Sequence, residues 1–249
     1  MAAPEATRDR IRLTGELTPL DPYSSVPGES RFPDMRQTLV FISIALLALG
    51  CTVTRGSGVV ATDQRELSGF DRITVSGSAT VDVGIGSEWS VVVEADDNLL
   101  PIIETTVRGS TLDIGTKSGV SFLTSNPVRV SITMPALQGV DISGSGRLSA
   151  PGIGDSQQLT VDVSGSGQAS VSGSAEQLDV TVSGSGEFDG RQFQTARATV
   201  SISGSGGAII WATERLDATV SGSGKVRYVG NPGQLSTDVS GSGSVTGDG

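Results

Sequence analysis

The tetrapeptide Ser-Gly-Ser-Gly recurs through the second half of the chain, and an alternation of apolar and polar residues leads into each copy. The residue before each copy is valine or isoleucine, and the residue before that is polar in all six. The six copies begin 18 to 21 residues apart, at Ser143, Ser164, Ser183, Ser203, Ser221 and Ser240, and a related Ser-Gly-Ser-Ala begins at Ser76. Such alternation is typical of a strand with one buried face.

The apolar alternation continues beyond each copy with the same parity. Five residues after the first serine stand Leu148, Ala169, Phe188, Ala208, Val226 and Val245. By this parity both glycines of each copy face inward and both serines face outward. We therefore predict a sharp corner where only glycine fits, and two outward serine ladders spaced about 4.8 Å apart. A flexible linker would not recur at this period between alternating valines and isoleucines.

In-phase motifs at a period near 20 residues predict stacked coils, because like positions then form columns. The predicted fold is all-β, a parallel β-helix or β-solenoid with coils of about 20 residues and Ser-Gly-Ser-Gly corners, over residues 64–249. The period gives about nine coils between residue 67 and the last residue. Residues 84–135 depart from the pattern, and we expect them to form longer, irregular coils of the same domain.

The N-terminal part of the sequence predicts an export signal. The apolar run at 39–49 is too short to span a bilayer, which takes about 20 residues, but has the length of a signal-peptide core. It follows Arg36, and Cys51 comes directly after Leu47-Ala48-Leu49-Gly50. This arrangement resembles a lipobox, so we predict a lipoprotein signal peptide at 35–50 and lipid attachment at Cys51.

The flanking segments complete the predicted organisation. Residues 1–34 are polar and Pro-rich, and we expect either a mis-assigned start, with translation beginning at Met35, or a disordered extension. Residues 51–63 are predicted to form a tether between the lipid and the solenoid. Thr52 stands where Gram-negative inner-membrane lipoproteins carry aspartate, which favours the outer membrane in a host that has one, and we expect the protein at the cell surface.

The composition excludes several kinds of active site and partner. The 249 residues include no histidine, one cysteine, 34 glycines and a formal net charge of -10. The absence of histidine excludes Ser-His-Asp and Cys-His catalysis, and a single cysteine excludes internal disulfides. The acidic balance argues against nucleic acid as a partner.

Several segments resemble one known family, the putative auto-transporter adhesins with a head GIN domain, a domain of unknown function. The resemblance lies in 67–73, 75–78, 93–100 and 228–232, together with the recurring Val-Ser-Gly-Ser-Gly. It covers about residues 64–249. It implies a β-helix-like fold and an exported location.

Four motifs were considered as sites. Gly222-Ser223-Gly224-Lys225 resembles the end of a phosphate-binding loop, but valine follows the lysine, so we predict no nucleotide. The acidic residues at 94–98 lack the spacing of an EF-hand, and we expect a turn and no metal or other cofactor. Asp141 and Asp162 are expected to be neighbours on adjacent coils, as a catalytic carboxylate pair requires. Trp211 is the candidate for an exposed sugar-binding platform.

These observations predict a lipid-anchored, non-catalytic surface binding module of the bacterial envelope, with a glycan or an envelope protein as its partner. A periplasm-facing structural or assembly scaffold is the alternative. A polysaccharide-acting enzyme using the two aspartates is a third hypothesis. Repetition favours the first two, because active sites need local irregularity.

Overall fold

The computed structural model of the chain describes residues 52–248, which form strands and one short 3-10 helix at Leu100–Ile102. The strands are β1 (Thr52–Arg55), β2 (Val60–Arg65), β3 (Arg72–Gly77), β4 (Thr80–Ile85), β5 (Ser90–Asp96), β6 (Ile103–Arg108), β7 (Thr111–Thr116), β8 (Val120–Leu123), β9 (Arg129–Met134), β10 (Gly139–Gly144), β11 (Arg147–Gly165), β12 (Gln168–Gly184), β13 (Glu187–Gly204), β14 (Gly207–Gly222), β15 (Lys225–Val229), β16 (Gln234–Gly241) and β17 (Ser244–Asp248). The predicted all-β fold is confirmed.

The strands that lead into the glycine corners stack in parallel and form the first sheet of the solenoid. Its order is β3, β10, the second halves of β11 to β14, and β16. Like positions pair throughout, as in Asp141 with Asp162 and Ser143 with Ser164. The predicted serine column is confirmed, because the first serine of every corner from Ser76 to Ser240 pairs with its counterpart.

The strands that leave the corners form the second sheet, from β4 through the first parts of β11 to β14 to β15 and β17. The middle parts of the long strands connect the two sheets, and the register shifts there, between Ala150 and Ser156 in β11 and between Ser170 and Ser172 in β12. The six corners enclose five complete coils, and the solenoid has about five turns. The expectation of about nine was wrong, because residues 52–138 add antiparallel strands to the start of the stack and do not form regular coils.

The two glycines of a corner have different roles, which corrects the prediction that both face inward. The first has a φ between +99° and +117° in all six copies. A Cβ on Gly184 would lie 2.7 Å from the carbonyl oxygen of Gly165, so its missing side chain points at the coil below and not into the core. The second glycine does face inward, since a Cβ on Gly186 would lie 2.5 Å from the Val163 side chain.

The core consists of the inward columns that the alternation predicted. The column before the corner is buried from its first member to the last-but-one coil, at Val75, Ile142, Val163, Val182, Ile202 and Val220. After the corner, Phe188 is 1% exposed. Its ring occupies the space that a side chain at position 190 would need, and Gly190 has none. The core is open at the last coil, where Leu235 is 48% and Val239 41% exposed.

Residues 52–138 combine the start of the stack with antiparallel strands. β5 pairs antiparallel with β2 and β9, and β6 with β7, while β9 pairs parallel with β4. Strands β5 and β9 both lie within the stretch 84–135 that departs from the repeat. The prediction of irregular coils was wrong in this respect, because solenoid coils would pair only in parallel.

The segment assigned to a tether is largely strand. β1 pairs parallel with β8, and β2 pairs antiparallel with β5. Because backbone groups in 52–55 and 60–65 have partners in the sheet, these residues belong to the folded body.

Two predictions on the N-terminal part, the extension at 1–34 and the signal peptide at 35–50 with Cys51, lie outside the described residues. Between residues 52 and 248 no helix has the length and apolar character needed to cross a bilayer.

Candidate binding groove

The outer face of the second sheet carries a column of side chains whose charge and size differ from coil to coil. Four residues after each first serine stand Thr80, Arg147, Gln168, Glu187, Gly207, Lys225 and Ser244. The strand registers place these residues side by side, from Thr80 beside Arg147 to Lys225 beside Ser244. Unlike the serine column, this column is not uniform, and irregularity is what a specific site requires.

Gly207 is the member of this column without a side chain, and it makes the surface concave. Glu187 stands on one side of it and Lys225 on the other, one strand spacing, about 4.8 Å, away in each direction. A depression of about 330 Å³ opens here between Glu187, Arg191, Lys225 and Arg227, with Gly206 and Gly207 among the residues that line it.

Two neighbouring depressions extend the concave surface along the solenoid. One, of about 310 Å³, lies among Arg147, Gln168 and Glu187, where Ser149 and Ser170 are too short to fill the space. The other, of about 280 Å³, is lined in part by Ser170 and Arg191. Asp189 lines all three depressions. We call the three together the outer groove; it is lined by residues from strands β11 to β15 and from β4.

Hydrogen bonds fix several of the side chains that line the outer groove. The Nε of Arg147 donates to Oε1 of Gln168 at 2.9 Å, and the amide of Gln168 donates in turn to Glu187 at 3.5 Å. Arg191 donates to Asp189 at 2.9 Å, and this carboxylate raises the pKa of the guanidinium. These bonds hold alternating cationic, amide and anionic groups in a row.

Cationic groups gather at one end of the outer groove. Arg227 pairs with Asp248, whereas Lys225 has no ion pair among residues 52–248. An array of donors and acceptors at strand spacing can bind an extended chain that carries hydroxyl or charged groups at a similar repeat. The mixed charge argues against a purely anionic polymer such as nucleic acid.

The two aspartates considered for catalysis are brought together as predicted. Asp141 and Asp162 are paired in register in the first sheet. Desolvation raises the pKa of Asp141, and the charges of Asp162 and Asp113 add to the effect. Asp141 is exposed, on the outer face of the first sheet, and neither aspartate lines the outer groove.

The tryptophan prediction was wrong in its choice of residue. Trp211 is half-buried, with Gly230 packed close to its indole ring. Trp89 is the more exposed tryptophan, at 41%, and its indole Nε1 donates to the carbonyl of Phe70 at 3.0 Å. The position of Trp89 just before a strand gave no signal of this exposure.

The acidic segment at 94–98 is joined by hydrogen bonds to two other segments of the chain. Asp96, only 1% exposed, accepts hydrogen bonds from Asn126 at 2.6 Å and Thr124 at 2.7 Å, and these bonds hold its pKa below the usual range. Asp97 accepts from the hydroxyl of Ser57. Among residues 52–248 no group of three or more histidine, cysteine, aspartate or glutamate side chains is arranged to hold a metal ion.

The lysine of the phosphate-loop-like motif has a different setting from a nucleotide site. Lys225 follows a Ser-Gly-Ser-Gly corner like any other residue of its column, and it lines the outer groove. Its column neighbours Arg147, Gln168 and Glu187 were not identified as site residues from the sequence. The interruption of that column by Gly207 was the signal that could have located the groove.

These features define the class: a β-solenoid with an open outer groove and no enclosed cavity among its described depressions. A family model described as "Putative auto-transporter adhesin, head GIN domain" matches residues 69–232. The chain belongs to this family, as the resemblance predicted.

Solved structures share the fold. A "putative adhesin" from Bacteroides fragilis NCTC 9343 is 20% identical, with 78% of this chain and 99% of that chain covered and a TM-score of 0.62. A "putative lipid binding protein" from Parabacteroides distasonis ATCC 8503 is 24% identical, with 80% and 100% covered and a TM-score of 0.50. No curated protein matches the chain. At these identities the likeness establishes the fold alone.

Proposed function

We propose that this protein is an exported, non-catalytic binding module of the adhesin type, anchored to the bacterial envelope by lipid at Cys51. The family to which the chain belongs is named for adhesins, and this supports a surface or exported location. The lipobox-like segment before Cys51 supports the anchor and an outer-membrane location. In this account 35–50 is the signal peptide and is removed.

The outer groove is the binding surface in this proposal, and an extended glycan is its ligand. The single observation that carries it is the row of hydrogen-bonded side chains across adjacent coils, from Arg147 through Gln168 to Glu187, with Lys225 farther along the same groove. Their spacing of about 4.8 Å is close to the length of one sugar in an extended chain. Serine and glycine in the floor let the ligand approach the backbone.

A binding experiment with two matched glycine variants tests the groove. The Cβ of Gly207→Gln would have 3.6 Å to its nearest neighbour, so the side chain enters the groove without straining the fold. Gly154→Gln is the control, because Gly154 is exposed, lies outside the groove and has open space around it. Both variants are made in the full chain and applied to an array of bacterial and host surface polysaccharides.

We expect wild type and Gly154→Gln to bind the same glycans. We expect Gly207→Gln to bind them at least about tenfold more weakly, a difference of about 1.4 kcal/mol, because the glutamine displaces the ligand from the floor. Equal binding by the two variants would remove the groove from the proposal. An array to which wild type does not bind would contradict a glycan ligand.

A further inference from the structure

Exposed aliphatic side chains gather at the N-terminal end of the described chain. Val53, Val59, Val60 and Leu123 are 49% to 67% exposed, and we call these four residues the N-terminal aliphatic patch. Seven large apolar side chains are exposed in residues 52–248, and four of them belong to this patch. Concentrated exposure of this kind marks an interaction surface, whereas single exposed apolar residues are ordinary.

Val53 and Leu123 of the patch share a defined outer face of the folded body, and Val59 and Val60 follow where β2 begins. Val53 pairs with Ser121, and Arg55 with Leu123, in the parallel sheet of β1 and β8. Alternate residues of a strand share a face, so Val53, Arg55 and Leu123 lie on one side of this small sheet. On the other side Phe122 packs against the core.

Hydrogen bonds hold the loop between β1 and β2 in place. The N–H of Gly56 donates to the carbonyl of Leu123 at 2.8 Å, and that of Asp97 donates to the carbonyl of Val59 at 2.9 Å. The side chain of Asn98 bridges the carbonyl of Arg55 and the N–H of Ser57. The aliphatic patch is therefore a fixed surface.

Cationic groups accompany the patch. Arg55 lies on its face, and Lys117 precedes β8 by three residues; neither has an ion pair within residues 52–248. Asp96 and Asp97 also lie beside this loop, where Asp96 accepts hydrogen bonds from Thr124 and Asn126 and Asp97 accepts one from Ser57. Aliphatic side chains with charged groups around them suit the boundary between lipid headgroups and acyl chains.

We propose that the N-terminal aliphatic patch lies against the lipid surface in which the acyl group on Cys51 is inserted. This inference rests on the proposed lipid anchor. β1 begins at Thr52, the residue after Cys51, so the anchor and the patch are adjacent in the chain. A lipid chain and a second membrane contact together give the stable attachment that one chain alone gives poorly. The solenoid then has a fixed end on the membrane and presents its coils away from it.

Single-cysteine labelling of the protein produced from the full chain tests this placement. Cys51 is the only native cysteine, so once acylated it leaves one free thiol in each of Val59→Cys, Leu123→Cys and Ser166→Cys. Ser166 is exposed at a corner of the solenoid and serves as the control. Each protein is labelled with an environment-sensitive dye and inserted into vesicles of phosphatidylglycerol and phosphatidylethanolamine, with and without a lipid-borne quencher. Intact-mass spectrometry reads the acylation of Cys51 separately.

We expect the dyes at positions 59 and 123 to shift to shorter wavelength and to be quenched by the lipid-borne quencher, while the dye at 166 does neither. Acylated protein on vesicles with water-exposed dyes at 59 and 123 would overturn the docking and leave the anchor standing. An unmodified Cys51 would overturn both. A shift that depends on protein concentration in detergent without vesicles would assign the patch to a second copy and overturn the proposal.

Discussion

The Cα of Gly184 lies so close to Gly165 of the preceding coil that an added Cβ would be 2.7 Å from the Gly165 carbonyl oxygen. The same oxygen accepts the backbone N–H of Ser185 at 2.8 Å, so the close approach belongs to the hydrogen bonding that joins the coils. Gly184 also has a φ of +107°, which side-chain-bearing residues rarely adopt. The corner therefore requires glycine for two independent reasons.

Replacing Gly184 with alanine should destabilise the solenoid by about 2 kcal/mol or more, because strain and a backbone clash add. The measurement is the free energy of unfolding in urea. Gly207→Ala is the control, with ordinary φ and 3.6 Å of clearance, and we expect it to stay close to wild type. Equal stability of the two variants would contradict this description of the corner.

Removing the ring of Phe188 should destabilise the protein by about 3–5 kcal/mol, the usual cost of truncating a buried phenylalanine. Phe188 is 1% exposed, and a Cβ at Gly190 would lie 2.6 Å from its ring. The ring therefore fills the space that the glycine leaves free. Chemical denaturation of Phe188→Ala measures the effect. Phe122→Ala, at a half-buried position, should lose less, and a larger loss there would be inconsistent with the core described.

The regular part of the fold was predictable from sequence because identical surroundings recur. Val163 and Val182 occupy equivalent positions, so the repeat itself revealed the column and the parallel register. The alternation could not distinguish the two corner glycines. It assigns both to the inward face, whereas the missing side chain of the first points at the neighbouring coil. The antiparallel pairing of β5 with β2 and β9 could not be predicted from the sequence either, because the segments that it joins carry no repeated motif.

The candidate site was less accessible to sequence reasoning. The adjacency of Asp141 and Asp162 followed from their equal position in successive coils. The concavity around Gly207 depends on the lengths of side chains on neighbouring coils, which the column shows only when it is compared across the repeat. The hydrogen bonds of Asp96 join residues 28 and 30 positions apart and could not be derived from the local sequence.

Asp96→Asn should destabilise the protein at neutral pH. The pKa of Asp96 is lowered in the folded protein, so the carboxylate contributes stability above its unfolded pKa of about 3.8, and this is lost as pH falls through the lower folded value. The melting temperature of the variant should therefore lie below that of wild type at pH 7, and the gap should narrow below pH 4. Asp82→Asn, at an exposed position of β4, is the control. A gap that stayed constant with pH would show that the carboxylate charge is not involved.

Asp141→Asn should stabilise the protein at neutral pH, the opposite of the effect expected for Asp96→Asn. The pKa of Asp141 is raised, chiefly by desolvation, so folding disfavours the ionised form, and the relative stability present below pH 3.8 is lost as pH rises through the folded pKa. The variant should be slightly more stable than wild type at pH 7, by well under about 1 kcal/mol because the group is largely exposed to solvent, and equal to it in acid. Thermal unfolding at both pH values measures this. Asp238→Asn is the control at the equivalent position of a later coil, where the column neighbour is the uncharged Thr219, and the same gain in both variants would contradict this account of Asp141.

Protease treatment of intact cells tests the central claim, that the solenoid is an anchored binding module displayed on the cell surface. We predict that wild type is cleaved from whole cells, and that Cys51→Ala no longer sediments with the membrane fraction. Cleavage of wild type only after the envelope is opened would contradict surface display and favour a periplasm-facing scaffold.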